Sequence, residues 1–177
     1  MNKVVIARDT RDHSGKHRNV DEGLAAKGIK TVRTKLYVGD VARLDDMTVS
    51  IDLKQGLQEC YWNIIQQHRR FVAECKRAQE AGIRLIILCQ ESGIGSVQDV
   101  ANWQNPRLLK WMKLRDAHRA GKRMKEQLAP YPPVSSERLS KAMQTISERY
   151  GVEWRFCDKS ETAKKICELL GLEVENG

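Results

Sequence analysis

The chain has 177 residues, of which 41% are hydrophobic and 31% are charged, and its formal net charge is +8. This length and composition predict a single globular domain over residues 1–177, and they disfavour a disordered chain. The sequence shows no apolar run long enough to cross a membrane and no signal peptide, so no membrane association is expected. The five cysteines form no CxxC pair and predict reduced thiols in a cytoplasmic protein.

Strands and helices alternate along the sequence. Continuous apolar runs and period-two runs indicate strands, and apolar residues at three- and four-residue steps indicate helices. In chain order, the predicted elements are a strand from residue 4, a helix ending near 28, strands at 30–38 and 47–54, a long helix at 55–81 and a strand at 84–89. They continue with a short helix at 97–103, a basic excursion at 104–134, a helix to about 150, a strand at 153–157 and a helix at 161–170. This order predicts an α/β fold with a central mixed β-sheet flanked by helices.

Two aspartates and a lysine near the second and third strands suggest chemistry on phosphodiesters. Asp40 follows the run at 30–38, and Asp52 and Lys54 lie within the run at 47–54. Alternation along that run directs its apolar residues to the core, and it places Asp52 and Lys54 together on the opposite, more hydrated face. A hairpin through residues 41–46 would bring Asp40 toward Asp52.

Carboxylate oxygens are the ligands that hard divalent cations prefer, so Asp40 and Asp52 are candidate ligands for Mg²⁺ or Mn²⁺. Such a cation would polarise a phosphate and activate a bound water. Lys54 would orient that water or offset developing negative charge. A solvated strand face explains the same Asp-x-Lys spacing without catalysis.

The order of these segments resembles the nuclease domain of the XPF family, which comprises structure-specific endonucleases of the PD-(D/E)XK superfamily. The residues that carry the resemblance are Asp9, Arg11 and Asp12 after the first strand, then Gly39-Asp40, then Asp52 and Lys54. The resemblance covers about residues 3–91, and the segment 139–170 is similar to the tail of small phage and prophage members. It implies a restriction-endonuclease-like core and metal-dependent cleavage of branched, flapped or otherwise structured DNA in a bacterial or phage-infected cell.

Carried over residue by residue, the resemblance implies a catalytic set of Asp12, Asp40, Asp52 and Lys54. On the nuclease hypothesis, the three carboxylates and the Leu53 carbonyl are the predicted metal ligands. Asp12 and Asp52 are each one methylene shorter than the family's usual glutamate, and the chain departs from the family pattern at two further points. Leu53 stands where the family has arginine, so a positive group near the phosphate is missing. The family's trailing aspartate falls on Gln58, with Glu59 beside it.

Positive charge is concentrated in one part of the sequence. Six of the eight net positive charges lie within residues 105–127, and Trp103 and Trp111 lie beside or among them. Lysine and arginine bind phosphates and aromatic rings stack on unpaired bases, so this segment suits a nucleic-acid groove. A charged surface helix whose tryptophans anchor it to the core explains the pattern equally well. The predicted DNA-binding residues are Arg11, Lys16, Arg69, Arg107, Lys110 and Lys113.

Two other functions remain open on the sequence. Leu53 and Gln58 favour a catalytically inactive DNA-binding module with the same fold, whereas the retained acids favour an enzyme. A nuclease acting on RNA is the third reading, because this chemistry does not require a particular sugar. The resemblance also leaves open a homodimer or a partner protein that directs the chain to DNA.

Overall fold

The protein is built around one six-stranded β-sheet. The computed structural model describes residues 4–12 and 15–172. Its strands are β1 (Val5–Asp9), β2 (Lys30–Thr34), β3 (Val41–Arg43), β4 (Val49–Lys54), β5 (Arg84–Gln90) and β6 (Glu153–Cys157). Its α-helices are α1 (Arg18–Ala26), α2 (Leu57–Tyr61), α3 (His68–Glu80), α4 (Pro106–Arg119), α5 (Ser136–Tyr150) and α6 (Thr162–Leu169). The predicted α/β class is confirmed.

The sheet is mixed, in the order β2-β1-β3-β4-β5-β6. β1 and β2 are parallel, as are β4, β5 and β6, while β3 runs antiparallel to both of its neighbours. The central strands are covered on both faces, which explains the continuous apolar run of β5. One face packs against α3 and α5 through residues such as Phe71 and Met143, and the other against α1 and α6 through Leu24 and Ile166.

The hairpin that carries Asp40 differs from the predicted one. The sequence predicts a strand over residues 30–38 that precedes a hairpin with 47–54, but β2 ends at Thr34 and pairs in parallel with β1 at the edge of the sheet. The strand that forms a hairpin with β4 is β3. Asp40 extends β3 by one residue, because its amide donates to the Ile51 carbonyl (2.8 Å) and its carbonyl accepts from the Asp9 amide (2.9 Å). The acid therefore lies between β1 and β4.

The long helix predicted over residues 55–81 is interrupted. α2 runs into a π-helical turn (Trp62–Gln66), in which the Gln67 amide donates to the Trp62 carbonyl at 2.9 Å, and α3 begins after it. A π-helical turn widens the helix and changes which side chains share a face, so regular three- and four-residue spacing does not reveal it. Such turns are frequent at functional sites.

The basic excursion predicted at 104–134 contains a regular helix, α4. Asn105 caps it, since its side chain accepts a hydrogen bond from the Arg107 amide at 3.0 Å, and Pro106 occupies the first turn. None of the residues of α4 is buried, so this helix lies on the surface of the protein. Every helix in the described parts of the chain is too short or too polar to cross a bilayer.

Candidate active site

A cavity of about 410 Å³ opens beside the ends of β1 and β4 and is covered on one side by α3. Its lining includes six residues that the sequence identifies as site candidates: Arg11, Asp12, Lys16, Asp40, Asp52 and Lys54. These residues come from three separate segments of the chain. The fold therefore brings the predicted acids, the lysine and two of the predicted DNA-binding residues to one opening.

The Gly-Asp pair has a steric cause. Gly39 has φ +72°, which lies in the left-handed region, and a Cβ at this position would overlap the Ser50 hydroxyl. That hydroxyl donates to the Val38 carbonyl at 2.7 Å, so it is not free to move away. The Gly39 amide in turn donates to Glu74 Oε1 on α3 at 3.0 Å. Glycine is required here, and it fixes the position of Asp40.

Asp40 is held against β4 by its own side chain. Its Oδ2 accepts a hydrogen bond from the Leu53 amide at 2.9 Å, where β3 no longer supplies a partner. In a β-strand the N–H and C=O of one residue point toward the same neighbouring strand. We therefore expect the Leu53 carbonyl to lie on the side of β4 that Asp40 occupies, as a metal ligand would.

Asp52 and Lys54 lie on the same face of β4, as their spacing predicts. The Lys54 ammonium donates to Asp52 Oδ1 at 2.8 Å and lies 2.7 Å from Oδ2. This face is the more hydrated one, since Asp52 and Lys54 line the cavity whereas Ile51 and Leu53 are fully buried, but the two residues are only 4% and 7% exposed. Burial alone would lower the pKa of Lys54, but the negative charge and hydrogen bond of Asp52 raise it above its usual value. The lysine is thus an ammonium at neutral pH.

The two carboxylates repel each other. The pKa of Asp40 is raised well above its ordinary value, first by burial and then by the negative charge of Asp52. Lys54 and the Leu53 amide offset only part of this effect. A divalent cation bound between the carboxylates would remove the repulsion, so the pair has the electrostatic character of a cation site.

We expect Asp40→Asn to raise the thermal stability of the metal-free protein at pH 7–8. Because the folded-state pKa of Asp40 is raised, its contribution to stability is full below the unfolded pKa of about 3.9 and is lost as pH rises through the folded pKa. The amide keeps an oxygen for the Leu53 N–H without the charge. Tm should rise by about 2–4 °C for each kcal/mol gained.

This prediction is checked by thermal melts in chelator across pH. The Tm difference between Asp40→Asn and the parent should disappear near pH 3. Asp45→Asn is the matched control, because Arg43 lowers the pKa of the exposed Asp45 and no gain is expected from removing its charge. A gain of equal size at every pH would contradict the prediction.

Asp12 lines the cavity, but its carboxylate already contacts two other side chains. Its Oδ2 accepts from Arg8 Nη2 at 3.0 Å, and its Oδ1 lies 3.9 Å from His17 Nε2. Arg8 also forms an ion pair with Asp21 at 3.1 Å. The carboxylate is therefore held in the wall of the cavity by a buried arginine, and its role as a metal ligand stays a prediction.

Glu59 is the acid that the sequence mentions only as the neighbour of Gln58. It lines the same cavity, and its carboxylate accepts from Lys16 Nζ at 2.6 Å and from the Gln55 amide at 2.9 Å. Burial would raise the pKa of Glu59, but these two donors lower it overall. The contact also ties Lys16, from the segment after β1, to the start of α2.

The polar stripe on α3 was not identified as one surface from the sequence. Gln67, Arg70, Glu74 and Arg77 line the cavity from one face of this region. Their spacing of three, four and three residues is that of one helix face, which is a signal that the sequence does contain. The predicted DNA-binding residue Arg69 instead lies on the exposed surface of α3, outside the cavity lining. Its role stays a prediction.

The predicted basic residues of α4 lie outside the cavity. The Arg107 guanidinium lies over the rings of Tyr61 and Trp62, at 5.7 and 5.4 Å from their centroids. Lys110 pairs with Glu126 at 2.8 Å, and Lys113 is exposed. Their contacts with DNA also stay predictions.

No protein-family model matches the sequence, and no curated protein sequence is significantly similar to it. Solved structures are similar. XPF from Aeropyrum pernix superposes with a TM-score of 0.58 at 16% identity, covering 96% of this chain and 66% of that one. A second structure of XPF from Aeropyrum pernix, in complex with DNA, gives 0.57 at 15% identity, covering 96% and 64%. This chain has an XPF-like fold.

At this level of identity the similarity to XPF establishes the fold alone, and the chain spans about two thirds of the length of those XPF chains. The metal ligands must therefore be judged from this chain's own residues. Within residues 4–12 and 15–172, no group of three or more His, Cys, Asp or Glu side chains is placed to hold a metal ion. Asp40, Asp52 and the Leu53 carbonyl nevertheless offer an oxygen-only set, which suits Mg²⁺ or Mn²⁺ when water completes the coordination.

Proposed function

We propose that this chain is a divalent-metal-dependent DNA endonuclease that cleaves phosphodiester bonds in branched, flapped or otherwise structured DNA. The observation that carries the proposal is the convergence of Asp40, Asp52 and Lys54 at one cavity of an XPF-like fold. The resemblance of its sequence to small phage and prophage members further suggests action in the cytoplasm of a bacterial or phage-infected cell.

The roles follow from the chemistry of each group. Asp40, Asp52 and the Leu53 carbonyl would hold Mg²⁺ or Mn²⁺, which would polarise the phosphate and lower the pKa of a bound water. Lys54 remains charged at neutral pH because Asp52 raises its pKa, so it can offset negative charge that develops on the phosphate. Asp52 also fixes the position of the Lys54 ammonium through their hydrogen bond.

Binding of the DNA backbone would fall to the basic residues of the cavity. Arg11, Lys16, Arg70 and Arg77 line it alongside the acids. Lysine and arginine that neutralise phosphates release counterions, so the affinity for DNA should fall steeply as salt rises. A homodimer or a partner protein could supply further contacts to a branched substrate.

The proposal is tested on a panel of DNA substrates. The purified chain is incubated with Mg²⁺ or Mn²⁺ and single-stranded, duplex, flap, fork and four-way DNA, with the matching RNA strands as comparison. We expect metal-dependent cleavage of at least one branched DNA. Absence of cleavage on every DNA with either metal would defeat the proposal, and cleavage of RNA alone would replace it with the RNA-directed reading.

A second candidate function is a DNA-binding module without catalysis. Leu53 in place of the family's arginine favours it, as does the lack of a three-membered ligand group among the described residues. The two candidates differ in whether a metal binds. The enzyme requires a divalent ion at Asp40 and Asp52, whereas the module does not.

We expect titration calorimetry to detect Mn²⁺ binding by the parent protein and none by Asp40→Ala. The reason is that a single remaining carboxylate and a carbonyl leave too few charged ligands for a divalent ion. Asp46→Ala is the control, since this exposed acid lies in the connection between β3 and β4, and it should bind Mn²⁺ like the parent. Equal binding by all three proteins would contradict the assignment, and no binding by the parent would favour the module.

A further inference from the structure

One large aromatic side chain lies at the cavity without being used by the proposed chemistry. Trp62 lines the same cavity as Asp40 and Asp52, yet 43% of its surface is exposed. It begins the π-helical turn (Trp62–Gln66) between α2 and α3. An exposed indole in the wall of a cavity that also holds acids and basic side chains can stack on a base, which makes Trp62 a candidate for contact with a nucleic-acid ligand.

The basic helix α4 reaches this side chain. The Arg107 guanidinium lies 5.4 Å from the centroid of the Trp62 ring, within the range of a cation–π contact. It also lies 5.7 Å from the centroid of the Tyr61 ring. The most positively charged part of the chain is thereby connected to the rim of the cavity, and the charge and the ring together suit a strand with a phosphate backbone and an open base.

The two tryptophans that the sequence suggests for base stacking are engaged elsewhere. Trp103 packs against the hydrophobic core, and its carbonyl accepts from the Ser136 hydroxyl at 2.5 Å. Trp111 donates from Nε1 to the Ala129 carbonyl at 2.9 Å, and the Arg115 guanidinium lies over its ring. The core contact of Trp103 fits the anchoring role that the sequence left as an alternative, whereas Trp111 contacts only the basic excursion itself. Neither of them lines the cavity, and Trp62 does.

We propose that Trp62, held by Arg107, is a stacking platform for an unpaired base of a DNA strand whose neighbouring phosphate lies in the cavity. This inference rests on the proposed function, because the phosphate in the cavity is taken to be the one that is cleaved. The consequence is a substrate preference: the nucleotide next to the cut is single-stranded. Base–aromatic stacking needs no particular base, so the preference is for unpaired DNA of any sequence.

The test measures binding without cleavage. The full chain in EDTA is titrated into fluorescently labelled dT15 and into a 15-base-pair duplex, and anisotropy gives Kd for each. Trp62→Leu keeps an apolar side chain but loses the ring, so it should weaken binding to dT15 about tenfold and duplex binding by less than about twofold. Trp62→Phe retains a ring and should recover most of the affinity for dT15.

Leu109→Ala is the matched control. Leu109 is 42% exposed, almost the same as Trp62, and it lies on the same basic helix as Arg107 but not at the cavity. It should change either Kd by less than about twofold. Trp62→Ala is measured as well, and thermal melts verify that all four variants are folded.

Equal losses on dT15 and duplex, or no loss in either Trp62→Leu or Trp62→Ala, would overturn the proposal. Failure of Trp62→Phe to recover affinity would do the same, since it would assign the effect to something other than a ring. Because no metal is present, a chain that proves inactive as a nuclease can still show the preference for dT15. If the chain cleaves DNA but shows no preference for dT15 that depends on Trp62, the proposed function stands and the stacking role of Trp62 is wrong.

Discussion

Replacing Asp52 with asparagine is expected to reduce DNA cleavage by at least about a thousandfold, which corresponds to about 4 kcal/mol in activation free energy. The substitution preserves size and shape but removes one of the two carboxylates proposed to hold the metal. It also removes the charge that raises the pKa of Lys54 and fixes its ammonium. Both effects act on the reacting phosphate, and initial rates on the best substrate of the panel measure them.

The same variant should still bind DNA. The basic residues of the cavity and of α4 are unchanged, so Kd measured in EDTA should stay within a few fold of the parent value. Asp46→Asn provides the control for rate, because this exposed carboxylate is hydrogen-bonded within its own loop by Thr48. Asp52→Asn protein that cleaves at more than about a tenth of the parent rate would remove Asp52 from the catalytic set.

The second large effect is expected on stability, from Arg8→Met. Arg8 is 1% exposed, and it pairs with the buried carboxylate of Asp12 and with Asp21. Removing the arginine leaves the Asp12 charge buried without this partner. Breaking a buried ion pair in this way costs about 3–5 kcal/mol, so the free energy of unfolding measured in urea should fall by that amount.

Two further variants locate the cause of that loss. Arg8→Met combined with Asp12→Asn removes both charges, and it should recover part of the stability because no uncompensated charge remains. Arg84→Met breaks an exposed pair with Glu153 and should cost no more than about 1 kcal/mol. A loss under 1 kcal/mol for Arg8→Met, or no recovery in the double variant, would show that the pair does not support this wall of the cavity.

Much of the fold could be predicted because the sequence signals were local. The apolar run of β5 is long and uninterrupted, and the spacing of Asp52 and Lys54 fixes their common face whatever surrounds the strand. The Gly39-Asp40 pair was identified in the sequence as a motif, and the structure shows that Gly39 has a left-handed backbone. These features depend on the alternation of a strand or on the conformation of one residue, which the amino-acid sequence specifies directly.

Other features depended on partners distant in the chain. The run at 30–38 was predicted to lead into the hairpin, but hydrogen bonding to β1 decides that β2 is a parallel edge strand. The π-helical turn shifts the helical phase after Gln66, so the way the faces of α3 follow those of α2 could not be obtained from regular spacing. The stripe of Arg70, Glu74 and Arg77 was visible as a pattern, but the pattern does not show what it faces.

The sequence by itself determined the class of fold, the strand that presents Asp52 beside Lys54, and the glycine that positions Asp40. Only the tertiary structure decided that these groups are buried together, that Arg8 holds Asp12, and that Glu59 and the polar face of α3 complete the cavity. The physical reason is the range of the interactions. Backbone geometry and side-chain alternation act between near neighbours in the chain, whereas burial, ion pairing and the repulsion that raises the pKa of Asp40 arise only when distant segments pack against one another.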